Sequence, residues 1–246
     1  MRAPALDRLD ERLSRVTARI APFDGFAPRV MVAVAPALVL TWLGFSQAIA
    51  VVRNWTFLTA NPSWTGASDL TRSALYAAFV LGAAVILVTR KSPRSSDHRR
   101  VAIVTSLTAT FLMVGLSYLP AGPVLWRASP YAAQCGLVLS VLGATLALAS
   151  FLSLGSNFSI TPESRDLVVT GPYRLIRHPL YLAELSMIVG VVVGYARLTT
   201  MVGALLVIGL QVHRIRMEET LLADSFPATF LDYITGTRYR LIPLLW

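Results

Sequence analysis

The chain has little of what most soluble catalysis is made from. Among 246 residues there is one cysteine, Cys135, and three histidines, His98, His178 and His213. A single cysteine excludes an intrachain disulfide, and so few thiolate and imidazole ligands argue against a metal site. There is no glycine-rich phosphate loop, no HExxH, no CxxC pair and no Ser-His-Asp spacing, which removes the chemistries those motifs serve. Charge is scarce too: 14% of residues are charged against 55% hydrophobic. That balance is too apolar for an ordinary soluble domain and indicates a polytopic membrane protein. Acidic residues are almost missing from the apolar runs, which disfavours an ion-driven transporter.

What charge there is runs basic, to a net +9. The basic residues cluster at the ends of the apolar runs, which fits membrane topology and anionic headgroups better than nucleic acid. No signal-peptide pattern is expected, because the first apolar run is too long and follows a charged stretch. In that stretch Leu6, Leu9, Leu13, Val16 and Ile20 recur at helical spacing among Arg8, Arg12, Arg15 and Arg19. It reads as an amphipathic helix on a membrane surface.

Six spans follow: Val30–Val52, Ser73–Thr89, Val101–Leu119, Tyr131–Leu154, Leu182–Ala196 and Leu198–His213. The last two are separated only by Arg197, so a tight helical hairpin is expected. The expected fold is an all-α, polytopic helical bundle of about six transmembrane helices. Its parts are an amphipathic segment 1–29, four spans over 30–154 and a catalytic region 155–246. In six-span order, alternate compartments hold 18 and 4 of the Lys and Arg residues. The positive-inside rule then makes both termini cytoplasmic, with the 155–181 loop and the C-terminal tail on that same side; in a bacterium the membrane would be the inner one. The 53–72 segment, with Trp55 and Trp64, is expected as a loop anchored at the opposite interface.

Against this background one stretch stands out, GPYRLIRHPLY from Gly171 to Tyr181. It packs two arginines, a histidine, two tyrosines and two prolines between two spans. Before it, Arg165–Val169 reads as a short extended run closed by a Thr170-Gly171-Pro172 turn. Pro179 should open a helix, placing His178 at its start, where donors suit an anionic or electron-rich group. The last span runs on into Arg214, Arg216, Glu218 and Glu219. If that helix continues unbroken past the membrane, both glutamates stand near the Arg177-His178-Pro179 loop. Phe226, Phe230, Leu231 and Tyr233 then suggest a further amphipathic helix folded back on the membrane.

Together, GSNF at 155–158, LVVTGPYRLIRHPLY at 167–181 and the R-x-x-x-E-E run at 214–219 resemble the isoprenylcysteine carboxyl methyltransferase family, which is related to the membrane phospholipid N-methyltransferases. The resemblance covers roughly Gly155–Pro243. It implies a membrane methyltransferase that uses S-adenosylmethionine, with the cofactor in a cytosol-facing pocket between the RHP loop and the end of the last membrane helix. Carried over by motif, the cofactor-binding residues would be Arg165, Asp166, Leu167, Val168, Tyr173, His178, Pro179, Leu180, Tyr181 and Glu218, with Leu180 contributing through backbone.

Arg214 would face a lipophilic, prenylcysteine-like acceptor and hold its carboxylate, which needs no general base. An amine acceptor would need one, and Glu219 is the nominee. Membrane lipids are the expected surroundings. The alternatives are a phospholipid or other small-amphiphile N-methyltransferase, a sterol-reductase-like membrane enzyme, and a membrane protein with no catalysis whose polar loops only set topology.

Overall fold

In lipid, every backbone N–H and C=O must find its partner within the segment, so long uncharged runs become helices. The computed structural model describes residues 34–90, 93–97, 99–117, 122–125, 129–195 and 197–242. The amphipathic stretch expected over 5–20, His98 and the last four residues lie outside them. Within them each apolar run is a helix: α1 (Ala35–Ala60), α2 (Trp64–Thr89), α3 (Arg100–Ser117), α4 (Pro130–Leu154), α5 (Pro179–Tyr195) and α6 (Leu198–Ser225). Four of these, α1, α2, α4 and α6, are long and apolar enough to cross a membrane; α3 and α5 are apolar but shorter. A further helix, α7 (Pro227–Gly236), follows α6, and one antiparallel pair of two-residue strands, β1 (Ser95–Ser96) and β2 (Glu163–Ser164), departs from an all-helical fold.

Two expectations are corrected. The 53–72 segment is almost wholly helical, with α1 running on to Ala60 and α2 starting at Trp64. The cause is local: Ser63 caps α2 by accepting from the Gly66 N–H, which lets the turn shrink to a few residues. Trp55 and Trp64 therefore lie on helices, both exposed. The extended run also comes earlier than Arg165–Val169, because Glu163–Ser164 find a partner strand in Ser95–Ser96 and the later residues do not.

Small residues set the closest helix packing. Gly136, Ser140, Gly143, Ala144 and Ala147 are buried on α4, which packs against α5. A Cβ at Gly136 would run into the Gly190 carbonyl oxygen, and one at Gly190 would meet Gly136 and Ser140. Backbones this close gain dispersion contacts that lipid would otherwise supply to each helix separately. Phe151 ties the layer together, 5.0 Å from Phe79 and 4.8 Å from Phe158 between ring centroids. On the outside Leu38, Phe45, Val88 and Leu152 are exposed, the last at 86%. Patches of this kind are unfavourable in water and neutral in lipid.

The loops sort to the two ends of the bundle. At one end β1 pairs with β2, Arg90 meets Glu163 at 3.2 Å and Arg94 meets Asp166 at 2.8 Å. At the other, Val124 bridges to Arg197 in the turn between α5 and α6. The described residues of 93–97 thus share one end with the 155–178 and 218–241 segments.

Candidate active site

α6 is unbroken from Leu198 to Ser225, and its last turns carry the two glutamates to the Arg177-His178-Pro179 loop. Pro179 opens α5, as its missing N–H permits. Tyr181, in the first turn of α5, donates from its phenol to Glu218 at 2.7 Å. His178 stacks on Tyr181 with ring centroids 5.5 Å apart, and its Nδ1 lies 3.9 Å from Glu218.

Glu219 faces the other way. One oxygen accepts from Arg177 at 2.7 Å and lies 3.3 Å from His178 Nε2; the other accepts from Arg240 at 2.7 Å. The neighbouring glutamates therefore do different work. The Glu219 side chain is 9% exposed and held by two guanidinium groups, whereas the Glu218 side chain is 35% exposed.

The segment after α7 closes over this loop. The backbone N–H groups of Arg177 and His178 donate to the carbonyls of Tyr239 and Arg240, each at 2.9 Å. Those N–H groups were expected to face an anionic ligand; the tail uses them instead. Tyr233 donates from its phenol to the Tyr173 carbonyl at 2.7 Å. Burial pushes the phenols of Tyr173 and Tyr233 well up from the ordinary tyrosine value, with the Glu218 charge adding to both. Both are neutral at neutral pH, and the Tyr233 phenol is a hydrogen-bond donor. Burial lowers Arg177, while Glu219 acts against that shift.

Arg214 sits one turn below Glu218, 4% exposed. It donates to the Ile160 carbonyl at 2.8 Å and the Gln211 amide oxygen at 3.2 Å, with its guanidinium 4.8 Å from the centre of the Tyr181 ring. Gln211 in turn donates to Glu184 across the α5–α6 contact. Glu163 completes the frame by accepting from Arg90 at 3.2 Å, Arg165 at 2.5 Å and Ser159 at 2.7 Å.

Two cavities meet here. A large chamber of about 810 Å³ runs inside the bundle, mostly apolar, and includes Leu180, Tyr181, Glu184 and Arg214 in its wall. A smaller cavity of about 60 Å³ is lined by Arg165, Asp166, Leu167, Val168, Phe230 and Tyr233. Tyr173, His178 and Glu218 belong to both walls.

Of the residues expected at a cofactor, the structure gathers Arg165–Val168, Tyr173, His178 and Glu218 around the small cavity and Leu180 and Tyr181 on the chamber side. Pro179 is buried behind them and lines neither cavity. The same is true of Glu219. Asp166 turns to Arg94, and its backbone N–H donates to the Asn157 side chain at 3.3 Å.

Sequence reasoning passed over Gln211, Glu184 and Arg240 as site residues. The first two carried a usable signal, since polar groups inside an apolar span mark function or pairing. Arg240 carried none, because only the folding back of the tail brings it to Glu219.

The described donors and acceptors suit S-adenosylmethionine, whose ammonium, carboxylate, hydroxyls and adenine need mixed partners beside an apolar wall. No curated protein matches the chain. Residues 131–229, which run from α4 into the start of α7 and include the loop and both glutamates, match the family described as phospholipid methyltransferase, and with the apolar helices this supports a membrane methyltransferase.

Proposed function

We propose that the chain is an S-adenosylmethionine-dependent membrane methyltransferase that esterifies the carboxylate of a lipophilic, prenylcysteine-like acceptor. One observation carries the reading. Tyr173, His178 and Glu218 form a wall shared by a small cavity of mixed polar and apolar lining, which includes the motif residues, and a mostly apolar chamber that reaches Arg214. A transferase that joins a polar donor to an apolar acceptor needs that adjacency.

In this reading Arg165–Val168, Tyr173, His178, Tyr181 and Glu218 hold the cofactor. When bound, it supplies a methyl group on a sulfonium, and the electron pair of the broken C–S bond stays on sulfur. Glu218 offers a carboxylate to the cofactor's ribose or ammonium, already oriented by Tyr181. Arg214, fixed by Ile160, Gln211 and the Tyr181 ring, presents positive charge to the acceptor carboxylate. Six membrane spans, with the site end facing the cytoplasm, complete the proposal.

A second reading, an amine acceptor such as a phospholipid headgroup, is favoured by Glu184 and Glu218 both lining the chamber. In that case proton removal falls to one of these two, and Glu219 serves as the anchor for Arg177 and Arg240.

The test is calorimetric titration of S-adenosylmethionine into the detergent-purified protein. Saturable binding, weakened in Glu218→Ala and His178→Ala, is expected. Absence of binding by a folded sample sinks the reading, and titration of nicotinamide cofactors then tests the reductase alternative. Incubation with a prenylated thiol acid separates the acceptors, because a methyl ester is released by base and an N-methyl group is not. Arg214→Ala should lose turnover of the acid; unchanged acceptor affinity and turnover would remove Arg214 from its role.

A further inference from the structure

The chamber wall carries two opposite charges that do not meet. Glu184 on α5 and Arg214 on α6 both line it. They make no direct ion pair, because the Gln211 side-chain amide stands between them. Its nitrogen donates to one Glu184 oxygen, and its oxygen accepts from the Arg214 guanidinium at 3.2 Å. Gln211 is 1% exposed, so the amide is packed in place. Helix phase brings these groups together. Glu184 follows Tyr181 by three residues and Gln211 precedes Arg214 by three, which puts each pair on one helix face.

Stability alone does not account for this arrangement. Opposite charges in apolar surroundings attract strongly, and a direct pair would let each offset the desolvation of the other. A polar fastening between α5 and α6 would need only a neutral side chain at position 184, since amides and hydroxyls already join helices in a membrane. An ionisable side chain within an apolar span marks a function by default.

Both groups keep capacity for a ligand. Three of the five Arg214 N–H groups are used, by Thr110, Gln211 and the Ile160 carbonyl. Among the described residues, the other two and the second Glu184 oxygen have no hydrogen-bond partner. The wall thus offers a cation and an anion held one amide apart. An α-amino acid is the complement. Its ammonium and carboxylate branch from one carbon, as the nitrogen and oxygen of the amide do.

We propose that Glu184 is a specificity-determining residue and that the acceptor is a free lipidated α-amino acid. Its carboxylate lies on Arg214, its ammonium on Glu184 and its lipid chain in the chamber. A cysteine at the C-terminus of a protein has an amide in place of the ammonium and leaves Glu184 unmatched. Methyl transfer to the carboxylate forms a C–O bond and breaks the C–S bond of the donor, with the electron pair left on sulfur and no proton moved. The ammonium has no lone pair, so it cannot compete for the methyl group while Glu184 holds it. This rests on the carboxylate reading of Arg214, but binding alone tests it.

The probes are S-farnesylcysteine and farnesylthiopropionic acid, which keeps the chain and the carboxylate and lacks only the amino group. Retention of each radiolabelled compound by the immobilised protein in dodecylmaltoside is measured. The amino acid should be held about tenfold more tightly, the value of one added charge-assisted contact. Glu184→Gln keeps an oxygen for Gln211 and removes the charge. The advantage should vanish in that variant, while S-adenosylmethionine binding stays unchanged.

A second comparison needs no variant. The two enantiomers of S-farnesylcysteine partition alike into detergent, and contacts to chain, carboxylate and ammonium should retain one about fivefold over the other. Equal retention of the enantiomers, or of the amino acid and the deaminated acid, overturns the proposal. So does an advantage that survives Glu184→Gln, or a methyl group recovered on nitrogen. A preference for the amino acid in a protein that fails to bind S-adenosylmethionine keeps the amino-acid site and removes the methyltransferase reading instead.

Discussion

The Tyr181 phenol donates to the Glu218 carboxylate at 2.7 Å, joining the first turn of α5 to the last turns of α6 beside both cavities. The bond orients a glutamate that, with Glu163, borders both the small cavity and the chamber. Tyr181→Phe keeps the ring under Arg214 and removes only the donor. Hydrogen bonds to charged groups are worth about 1.5–3 kcal/mol, and with Glu218 part-exposed about 1 kcal/mol is the fair expectation. Calorimetry should show S-adenosylmethionine binding about fivefold weaker, with little change in thermal stability.

Glu219 predicts the opposite pattern. Removing its carboxylate leaves Arg177 and Arg240 without the charge that both contact at 2.7 Å, and their side chains are 12% and 29% exposed. Breaking such a cluster costs about 3 kcal/mol. Glu219→Ala should therefore lower the thermal midpoint by about 10 °C in detergent, whereas Glu218→Gln should leave it nearly unchanged. Equal midpoints for the two variants would contradict the division between anchor and ligand-facing group.

The α4–α5 contact makes a prediction about two glycines of the same chemistry. At Gly136 an added methyl would strike the Gly190 backbone, which cannot move aside as a side chain would. At Gly209, on α6, a Cβ meets nothing within 4 Å. Gly136→Ala should destabilise by about 2 kcal/mol. Gly209→Ala should be neutral or slightly stabilising, since alanine is the better helix former. Paired thermal melts check both.

A pH dependence follows from the buried phenols. Tyr173 and Tyr233 have folded-state pKa values raised by burial above the ordinary value near 10. The stability they contribute is fully present below pH 10 and is lost as pH rises through the raised folded values, because only the unfolded chain releases the protons. Melting temperature should hold between pH 8 and 9.5 and fall above about 10. Tyr233→Phe should flatten part of that fall while losing its bond to the Tyr173 carbonyl.

Much of this was legible in the chain. Uncharged runs marked the cores of α1 to α6, because in lipid the backbone has no alternative partner. Pro179 and Arg197 marked the start of α5 and the hairpin into α6. The cluster of Arg177, His178, Tyr181, Glu218 and Glu219 could be read as one site, because a helix continuing from Leu198 must carry both glutamates to the loop.

The rest depended on pairings that local pattern does not encode. Nothing in Ser95–Ser96 announces a partner strand some seventy residues away. The tail's claim on the Arg177 and His178 N–H groups follows from the path of residues 237–241 after α7. The different orientations of Glu218 and Glu219 follow from helix phase, about 100° per residue, and only the packed partners show which one faces the cavities.

The matched stretch begins at residue 131, yet a large share of the chamber wall comes from α1, α2 and α3, which precede it. The molecule is thus divided into a fixed chemical end and a separate mould. Changes at Leu43, Tyr76 or Phe111 can reshape the chamber without touching the residues that would carry the methyl donor. A chain of this plan can alter the shape of its interior while the end that carries the matched motifs stays the same.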